Sequence, residues 1–124
     1  MAVKLSSRQQ AKLAVLESFL PKFDGIRRMI EEMGSLTVDI SVQRRLSRTF
    51  DEMKAGAQAV GETGVAESLG LMGTMARRTG GVQTRVRGLR EGFVTLKINF
   101  DGAMKAASTP EPEAEVDLDT KLPV

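Results

Sequence analysis

Histidine, cysteine, tryptophan and tyrosine are all absent from this chain of 124 residues. Histidine is the usual acid, base or metal ligand of enzymes near neutral pH, and cysteine is the usual nucleophile or thiolate ligand. Neither is available here, and a di-iron bundle site, which needs histidine as well as glutamate, is excluded for the same reason. We therefore expect a protein that is not an enzyme, carries no metal or cofactor, and acts by binding another molecule.

Long hydrophobic runs are also missing. The longest apolar-rich stretch, Leu13 to Leu20, is interrupted by Glu17 and Ser18, so it is too short and too polar to span a bilayer. The first ten residues are polar and basic and do not have the pattern of a secretory signal. With no cysteine to suggest an oxidising compartment, these features predict a cytoplasmic protein without a membrane segment.

The net charge of +2 is unevenly distributed along the chain. Residues 1–109 contain 17 lysines and arginines against 11 acids, whereas residues 110–124 contain five acids and one lysine. The second stretch also contains prolines and is too charged to pack into a core. We expect one basic folded domain over residues 1–109 and a disordered acidic tail over residues 110–124.

Apolar residues recur at spacings of three and four through most of the basic part, which indicates helices. Glycine and Ser/Thr punctuation divides the pattern into four segments, so we expect an all-α antiparallel bundle of about four helices. The predicted segments are Ser7–Met33, Ser41–Val60, Val65–Arg78 and Val82–Ala107. Ser41 is the predicted N-cap of the second helix, and Pro21 should kink the first helix or restart it near residue 20.

The fourth segment carries the most regular pattern in the sequence. One apolar stripe alternates spacings of four and three and comprises Val82, Val86, Leu89, Phe93, Leu96, Phe100 and Ala103. A second stripe, of small side chains that permit close helix approach, comprises Gly88, Gly92, Thr95, Asn99, Gly102 and Ala106. Val94 and Ile98 lie beyond both stripes, so this helix is either the centre of the bundle or part of a subunit interface, and we expect a homo-oligomer.

Arginine is concentrated around the turn between the third and fourth segments. Residues 77–90 contain five arginines and no acid, namely Arg77, Arg78, Arg85, Arg87 and Arg90. A planar guanidinium suits bidentate recognition of carboxylate or phosphate, so these residues predict a docking patch for an acidic protein or for the chain's own tail. A solvated helix face is the alternative that involves no partner.

A second arginine group, Arg44, Arg45 and Arg48, opens the second segment. The sequence leaves open whether it lies at the same end of the bundle as the first group or at the opposite end. Nucleic acid is a further candidate ligand for both groups. It is the weaker candidate, because every phenylalanine falls on or near an apolar stripe and none is set apart for stacking on bases.

The acidic tail contains apolar residues at a spacing of two. Val116 and Leu118 flank Asp117 and share one side of an extended chain, as in a segment that adds to a partner's sheet edge or fills a groove. The alternative is a tail that only raises solubility.

These patterns together predict a non-enzymatic protein–protein interaction module, an adaptor or regulatory subunit that self-associates through residues 82–107. The alternative function is a basic helical nucleic-acid-binding protein. An enzyme that uses lysine, aspartate or serine alone has no constellation of residues to support it.

Overall fold

The computed structural model of the chain describes residues 5–35, 40–78 and 81–110, and helices occupy nearly all of them. In chain order the helices are α1 (Ser7–Met33), α2 (Ile40–Ala59), α3 (Thr63–Arg77) and α4 (Val82–Ser108). The predicted all-α bundle is confirmed, and each predicted boundary lies within two residues of the observed one. None of the helices in these three ranges is both long and apolar enough to cross a bilayer.

Each helix packs beside the helices that precede and follow it, and α4 returns to pack beside α1. The first turns of α1 meet the turn between α2 and α3, where Lys12 Nζ lies 4.0 Å from a carboxylate oxygen of Glu62. The first half of α3 meets the second half of α4, where Asn99 Nδ2 donates to Ser68 Oγ at 2.6 Å. The four helices therefore form an antiparallel ring. The sequence placed α4 either at the centre of the bundle or at a subunit interface, and the central position is wrong.

The core lies along the axis of this ring and is built from aliphatic, methionine and phenylalanine side chains. All seven positions of the apolar stripe predicted for α4 are buried or packed against the core, which confirms that stripe. Phe23 of α1 makes edge-to-face contacts with α4, its ring centroid lying 5.8 Å from that of Phe93 and 4.9 Å from that of Phe100. Such aromatic pairs contribute about 0.5–1.5 kcal/mol beyond burial, so they help to fix α1 against α4.

Gln9 joins the beginning of α1 to the end of α4. Its backbone N–H donates to Ser6 Oγ and its side-chain Oε1 accepts from the Ser6 N–H, both at 3.0 Å, which forms a reciprocal cap. Its Nε2 donates to the carbonyl of Thr109 at 2.6 Å and to that of Ala106 at 3.4 Å. One buried amide thus satisfies backbone groups at two helix ends.

Two local predictions about helix ends differ from the structure. α1 runs through Pro21 without a break, so of the two predicted outcomes, a kink or a restart near residue 20, the restart is wrong. Pro21 and Glu17 are both exposed, so water can solvate the Glu17 carbonyl that the proline leaves without a donor. α2 begins one residue early, at Ile40, so Ser41 is a helical residue rather than the N-cap.

The turn between α2 and α3 confirms the predicted break at Gly61. Gly61 has a φ of 77°, in the left-handed region that favours glycine. Its N–H donates to the Gln58 carbonyl at 3.1 Å, and the N–H of Glu62 donates to the Ala57 carbonyl at 2.9 Å. These bonds satisfy the last carbonyls of α2 and turn the chain directly into α3.

The stripe of small residues on α4 lets α3 approach closely. A Cβ added at Gly88 would lie 2.8 Å from Met75 Sδ, and one added at Gly92 would lie 3.4 Å from Met72 Cγ. Gly102 is different, since an added Cβ there would meet nothing within 4 Å. Gly88 and Gly92 are therefore used inside the protomer, whereas Gly102 faces open space.

Candidate functional site

The two arginine groups lie at the same end of the bundle, where α1 and α3 end and where α2 and α4 begin. Gln43 Nε2, in the first turn of α2, donates to the Ala76 carbonyl near the end of α3 at 2.6 Å. Arg90 of α4 reaches Glu31 in the last turn of α1. The alternative in which the group that opens α2 lies at the opposite end is therefore excluded.

We call this region the arginine end. It contains ten of the chain's eleven arginines, and Arg8 lies at the opposite end. Its members are Arg27, Arg28, Arg44, Arg45, Arg48, Arg77, Arg78, Arg85, Arg87 and Arg90. All are exposed except Arg85, which is half-buried. The four helices and the residue that follows α3 thus contribute permanently charged guanidinium groups to the same end of the bundle.

Arg90 binds Glu31 across the contact between α4 and α1. Arg90 Nε donates to Glu31 Oε2 at 2.9 Å, and Arg90 Nη2 donates to Glu31 Oε1 at 2.7 Å. This hydrogen bonding lowers the pKa of the Glu31 carboxyl from its ordinary value and raises the pKa of Arg90. Both side chains are about half exposed, so salt screens the pair and its contribution to stability is small.

Arg77 links α3 to α2. Its Nη1 donates to Asp51 Oδ1 at 3.2 Å and to Ser47 Oγ at 2.9 Å. The ion pair lies over Gly73, where an added Cβ would be 3.4 Å from both Arg77 Nη1 and Asp51 Oδ1. The glycine therefore provides the space in which this link sits.

Six members of the arginine end have no carboxylate oxygen within 4.0 Å among the described residues. They are Arg28, Arg44, Arg45, Arg48, Arg78 and Arg87, and all six are exposed. Guanidinium groups that no neighbouring acid neutralises attract carboxylates and phosphates from solution. Exposed arginines without such a partner thus lie on α1 and α2 as well as within residues 77–90, where the docking patch was predicted.

Val94 and Ile98 lie on the outward face of α4. They are one turn apart and are 60% and 65% exposed. On the same face, Glu91 precedes Val94 by one turn and Lys105 follows Ile98 by two turns. This outward face thus has an apolar centre with an acid on one side and a base on the other.

Two adjoining depressions lie between α2 and α3, with Asp51 and Arg77 lining both, and neither was predicted from the sequence; we call them together the groove between α2 and α3. Its charged lining residues are Arg44, Arg48, Lys54 and Arg77, with Asp51 and Glu67. Two large apolar side chains, Ile40 and Leu71, also line it and are 57% and 66% exposed. Part of its floor is Gly70, where an added Cβ would lie 3.4 Å from Lys54 Nζ.

The sequence did contain a signal for this groove. The glycines at 70 and 73 interrupt α3 on one side, and Leu71 lies off the apolar stripe of that helix, which comprises Val65, Leu69, Met72 and Ala76. A large apolar side chain outside the core stripe, next to glycines that accommodate neighbouring side chains, indicates a surface depression. The remaining predicted binding residues, Val116 and Leu118, lie outside the described part of the chain.

The chemistry of the arginine end is that of fixed positive charge and hydrogen-bond donors. Within residues 5–35, 40–78 and 81–110, no three acidic, histidine or cysteine side chains are grouped so that they could hold a metal ion. Comparison with protein-family models, with curated proteins and with solved structures gives no match for this chain. Three surfaces of the molecule are therefore the candidates for binding: the arginine end, the outward face of α4, and the groove between α2 and α3.

Proposed function

We propose that this chain is a non-enzymatic interaction module, an adaptor or regulatory subunit, which binds an acidic protein partner through the arginine end. The observation that carries this proposal is the concentration of arginines from four helices on one surface, six of them without a described carboxylate partner. Such a surface attracts an acidic partner at long range and offers it bidentate donors at contact.

An acidic protein suits the arginine end better than single-stranded nucleic acid does. Proteins that bind single strands stack bases on exposed aromatic rings. All five phenylalanines of this chain are buried in the core or packed against it, namely Phe19, Phe23, Phe50, Phe93 and Phe100. Without a stacking platform, binding at the arginine end depends on charge and hydrogen bonds, which carboxylates satisfy.

A matched pair of charge reversals tests the arginine end. Arg78→Glu with Arg87→Glu removes two exposed cations of this surface, and Lys22→Glu with Lys97→Glu makes the same change in net charge at exposed positions elsewhere. The first variant should bind a polyglutamate peptide about tenfold more weakly than the wild type, a loss of about 1.4 kcal/mol. The second should bind nearly as the wild type does, and circular dichroism should show equal helicity for all three.

The wild type and the two double variants also distinguish an acidic protein from nucleic acid as the ligand. If a short DNA duplex binds instead, log affinity falls linearly with log salt concentration, with a slope of about 0.9 per phosphate neutralised. Binding to the duplex with this slope, and none to polyglutamate, would contradict the proposed partner class. Equal polyglutamate binding by the arginine variant and the wild type would contradict the role of the arginine end.

Self-association through the outward face of α4 is the second part of the proposal. In an antiparallel pair whose two-fold axis passes Ile98, positions equally spaced on either side of residue 98 face each other. Val94 then packs on Gly102 of the second copy, which has open space at its Cβ position. Glu91 faces Lys105 of the second copy, and symmetry repeats the pair. Apolar contact and charge complementarity thus support the same register.

A further inference from the structure

One of the two depressions between α2 and α3 lies at the arginine end, and most of its charged lining residues are cations. α2 contributes Arg44 and Arg48, which are one turn apart, and α3 contributes Arg77 from its last turn. The depression has a volume of about 550 Å³, within the range of sites that take small organic ligands. We call it the three-arginine depression.

The guanidinium groups of the three-arginine depression have unused hydrogen-bond donors. Within the described ranges, Arg44 and Arg48 form neither a hydrogen bond nor an ion pair. Arg77 uses Nη1 alone, which donates to Asp51 and to Ser47, so its Nε and Nη2 remain available. Because each guanidinium carries five N–H donors, an anion in the depression can accept hydrogen bonds from both helices.

Ser47 adds a hydroxyl donor to the same depression. It lies between Arg44 and Arg48 in α2, and its Oγ accepts from Arg77 Nη1 at 2.9 Å. That bond holds the guanidinium of α3 against this face of α2. The hydroxyl hydrogen of Ser47 has no acceptor in the described part of the chain, so it can donate to an oxygen of a ligand.

The charge of the lining indicates the charge of the ligand. Three arginines and one acid, Asp51, line the depression and give it a formal charge of +2. A phosphate monoester carries about −1.5 to −2 at pH 7 and has three terminal acceptor oxygens. A single carboxylate carries one charge on two oxygens. The phosphate monoester therefore matches both the charge and the number of donors more closely.

An apolar side chain lies beside these cations. Ile40 is one turn before Arg44, lines the same depression, and is 57% exposed. An aromatic or aliphatic group attached to the phosphate would remove part of this side chain from water, which is favourable. The lining thus favours an organic phosphate ester over inorganic phosphate.

We propose that the three-arginine depression binds a phosphate monoester as the dianion, with the organic group of the ester packed on Ile40. Arg44, Arg48 and the Ser47 hydroxyl donate to the phosphate oxygens from α2. Arg77 donates from α3 through Nη2 while Nη1 keeps its bonds to Asp51 and Ser47. This site goes beyond the proposed acidic protein partner and does not depend on it, since these side chains bind the ester by themselves.

Two probes of the same shape test the charge of the ligand. Phenyl phosphate is a dianion at pH 7.5, whereas phenyl sulfate stays a monoanion, and the amide signals of α2 follow the titration with each. Phenyl phosphate should bind about fivefold more tightly or better, because one additional contact between unit charges in water corresponds to about that factor.

The pH dependence of the two probes gives the second readout. At pH 5 the phosphate has taken up its second proton, whose pKa is about 6, and the two probes should bind alike. The charged groups that face the ligand are Arg44, Arg48 and Asp51 of α2 and Arg77 of α3, and a change in any of them acts on both probes. Equal binding at pH 7.5, or an advantage of the phosphate that persists at pH 5, would overturn the proposal.

Variants locate the site on the surface. Arg44→Gln with Arg48→Gln should weaken phenyl phosphate binding about tenfold or more, since charge-assisted hydrogen bonds are lost. Arg78→Gln with Arg87→Gln removes the same charge outside the depression and should bind nearly as the wild type does. Ile40→Ala should weaken the binding of phenyl phosphate but not of inorganic phosphate. Equal binding by the first variant and the wild type, at equal helicity, would overturn the site.

A phosphopeptide distinguishes the two sources of such an ester. A short peptide with phosphoserine followed by leucine should bind more tightly than phenyl phosphate if the ester belongs to a protein, and more weakly if it belongs to a small molecule. In both cases Arg44→Gln with Arg48→Gln should remove the binding. Failure of these tests leaves the polyglutamate result at Arg78 and Arg87 unchanged, so this site and the proposed function fail separately.

Discussion

The guanidinium of Arg90 and the carboxylate of Glu31 meet through two parallel hydrogen bonds, of 2.9 and 2.7 Å, although the residues are 59 positions apart in the sequence. This pair fastens α4 to the last turn of α1. It also neutralises one of the cations of the arginine end.

The pair predicts a pH dependence of stability. Because the pKa of Glu31 is lowered in the folded state, its ionised form stabilises the fold at pH values above the unfolded pKa of about 4.3, and this contribution is lost as the pH falls through the lower folded pKa. Glu31→Gln should therefore lower the thermal midpoint slightly at pH 7, and the difference from the wild type should shrink as the pH falls below about 4.3 and disappear once the pH is below the lowered folded pKa. Glu32→Gln, at the exposed neighbouring position, is the control. A difference that persists unchanged at low pH would contradict the role of the pair.

Gln9 should matter more to stability than its neighbour does. Gln9→Ala removes the donor to the Thr109 carbonyl and half of the cap with Ser6, and we expect a loss of about 1–3 kcal/mol in the free energy of unfolding. Gln10 is exposed, and its Nε2 donates to the Leu5 carbonyl, so Gln10→Ala should cost no more than about 0.5 kcal/mol. Urea unfolding of both variants gives the comparison. Equal losses would show that the buried amide is not a structural link.

The close approach of α3 to α4 predicts a difference between two glycines. Gly92→Leu must displace Met72, which is buried, so we expect a loss of about 1–3 kcal/mol in the free energy of unfolding. An added Cβ at Gly25 meets nothing within 4 Å, so Gly25→Leu should be neutral or should stabilise the helix by up to about 1 kcal/mol. Urea unfolding measures both variants. A large loss at Gly25 would mean that α1 has a partner on that side.

A charge exchange tests the proposed register of self-association. Glu91→Lys alone should weaken the dimer, because it places two lysines opposite each other, and Lys105→Glu alone should do the same with two acids. The double variant should restore association, because a base at position 91 then faces an acid at position 105 of the second copy. Sedimentation velocity over a range of concentrations measures the three proteins. A wild type that remains strictly monomeric, or a double variant weaker than both single variants, would exclude this arrangement.

The helices of this fold are readable from the sequence because burial is periodic. The stripe from Val82 to Ala103 predicted α4 to within one residue, since every position on it contacts the core. The common location of the two arginine groups also follows from simple geometry. An antiparallel pair places the start of α2 beside the end of α3, whatever the path of the chain before α2.

Other features depend on partners that no periodic pattern reveals. Gln9 has the sequence signature of an N-terminal cap, but nothing nearby indicates that its amide also reaches the end of α4. From the sequence alone, Gly73 is only a residue that lowers helix stability. The packed structure shows that the absence of a side chain there leaves space for Arg77 and Asp51. Such long-range pairings are set by how the helices meet, and the sequence of one helix does not encode them alone.

The link from Gln9 to the far end of the chain has a consequence for folding. Every other helix pair is joined by a short connection, but the bonds from Gln9 to Ala106 and Thr109 close loops of 97 and 100 positions. Loop-closure entropy rises with length, and high contact order slows folding. A circular permutant that connects residue 109 to residue 6 and opens the chain at Gly61 would make this pairing local. It would also make the more extensive contact between α2 and α3 the long-range one, so it should fold more slowly than the wild type although the helix packing is the same.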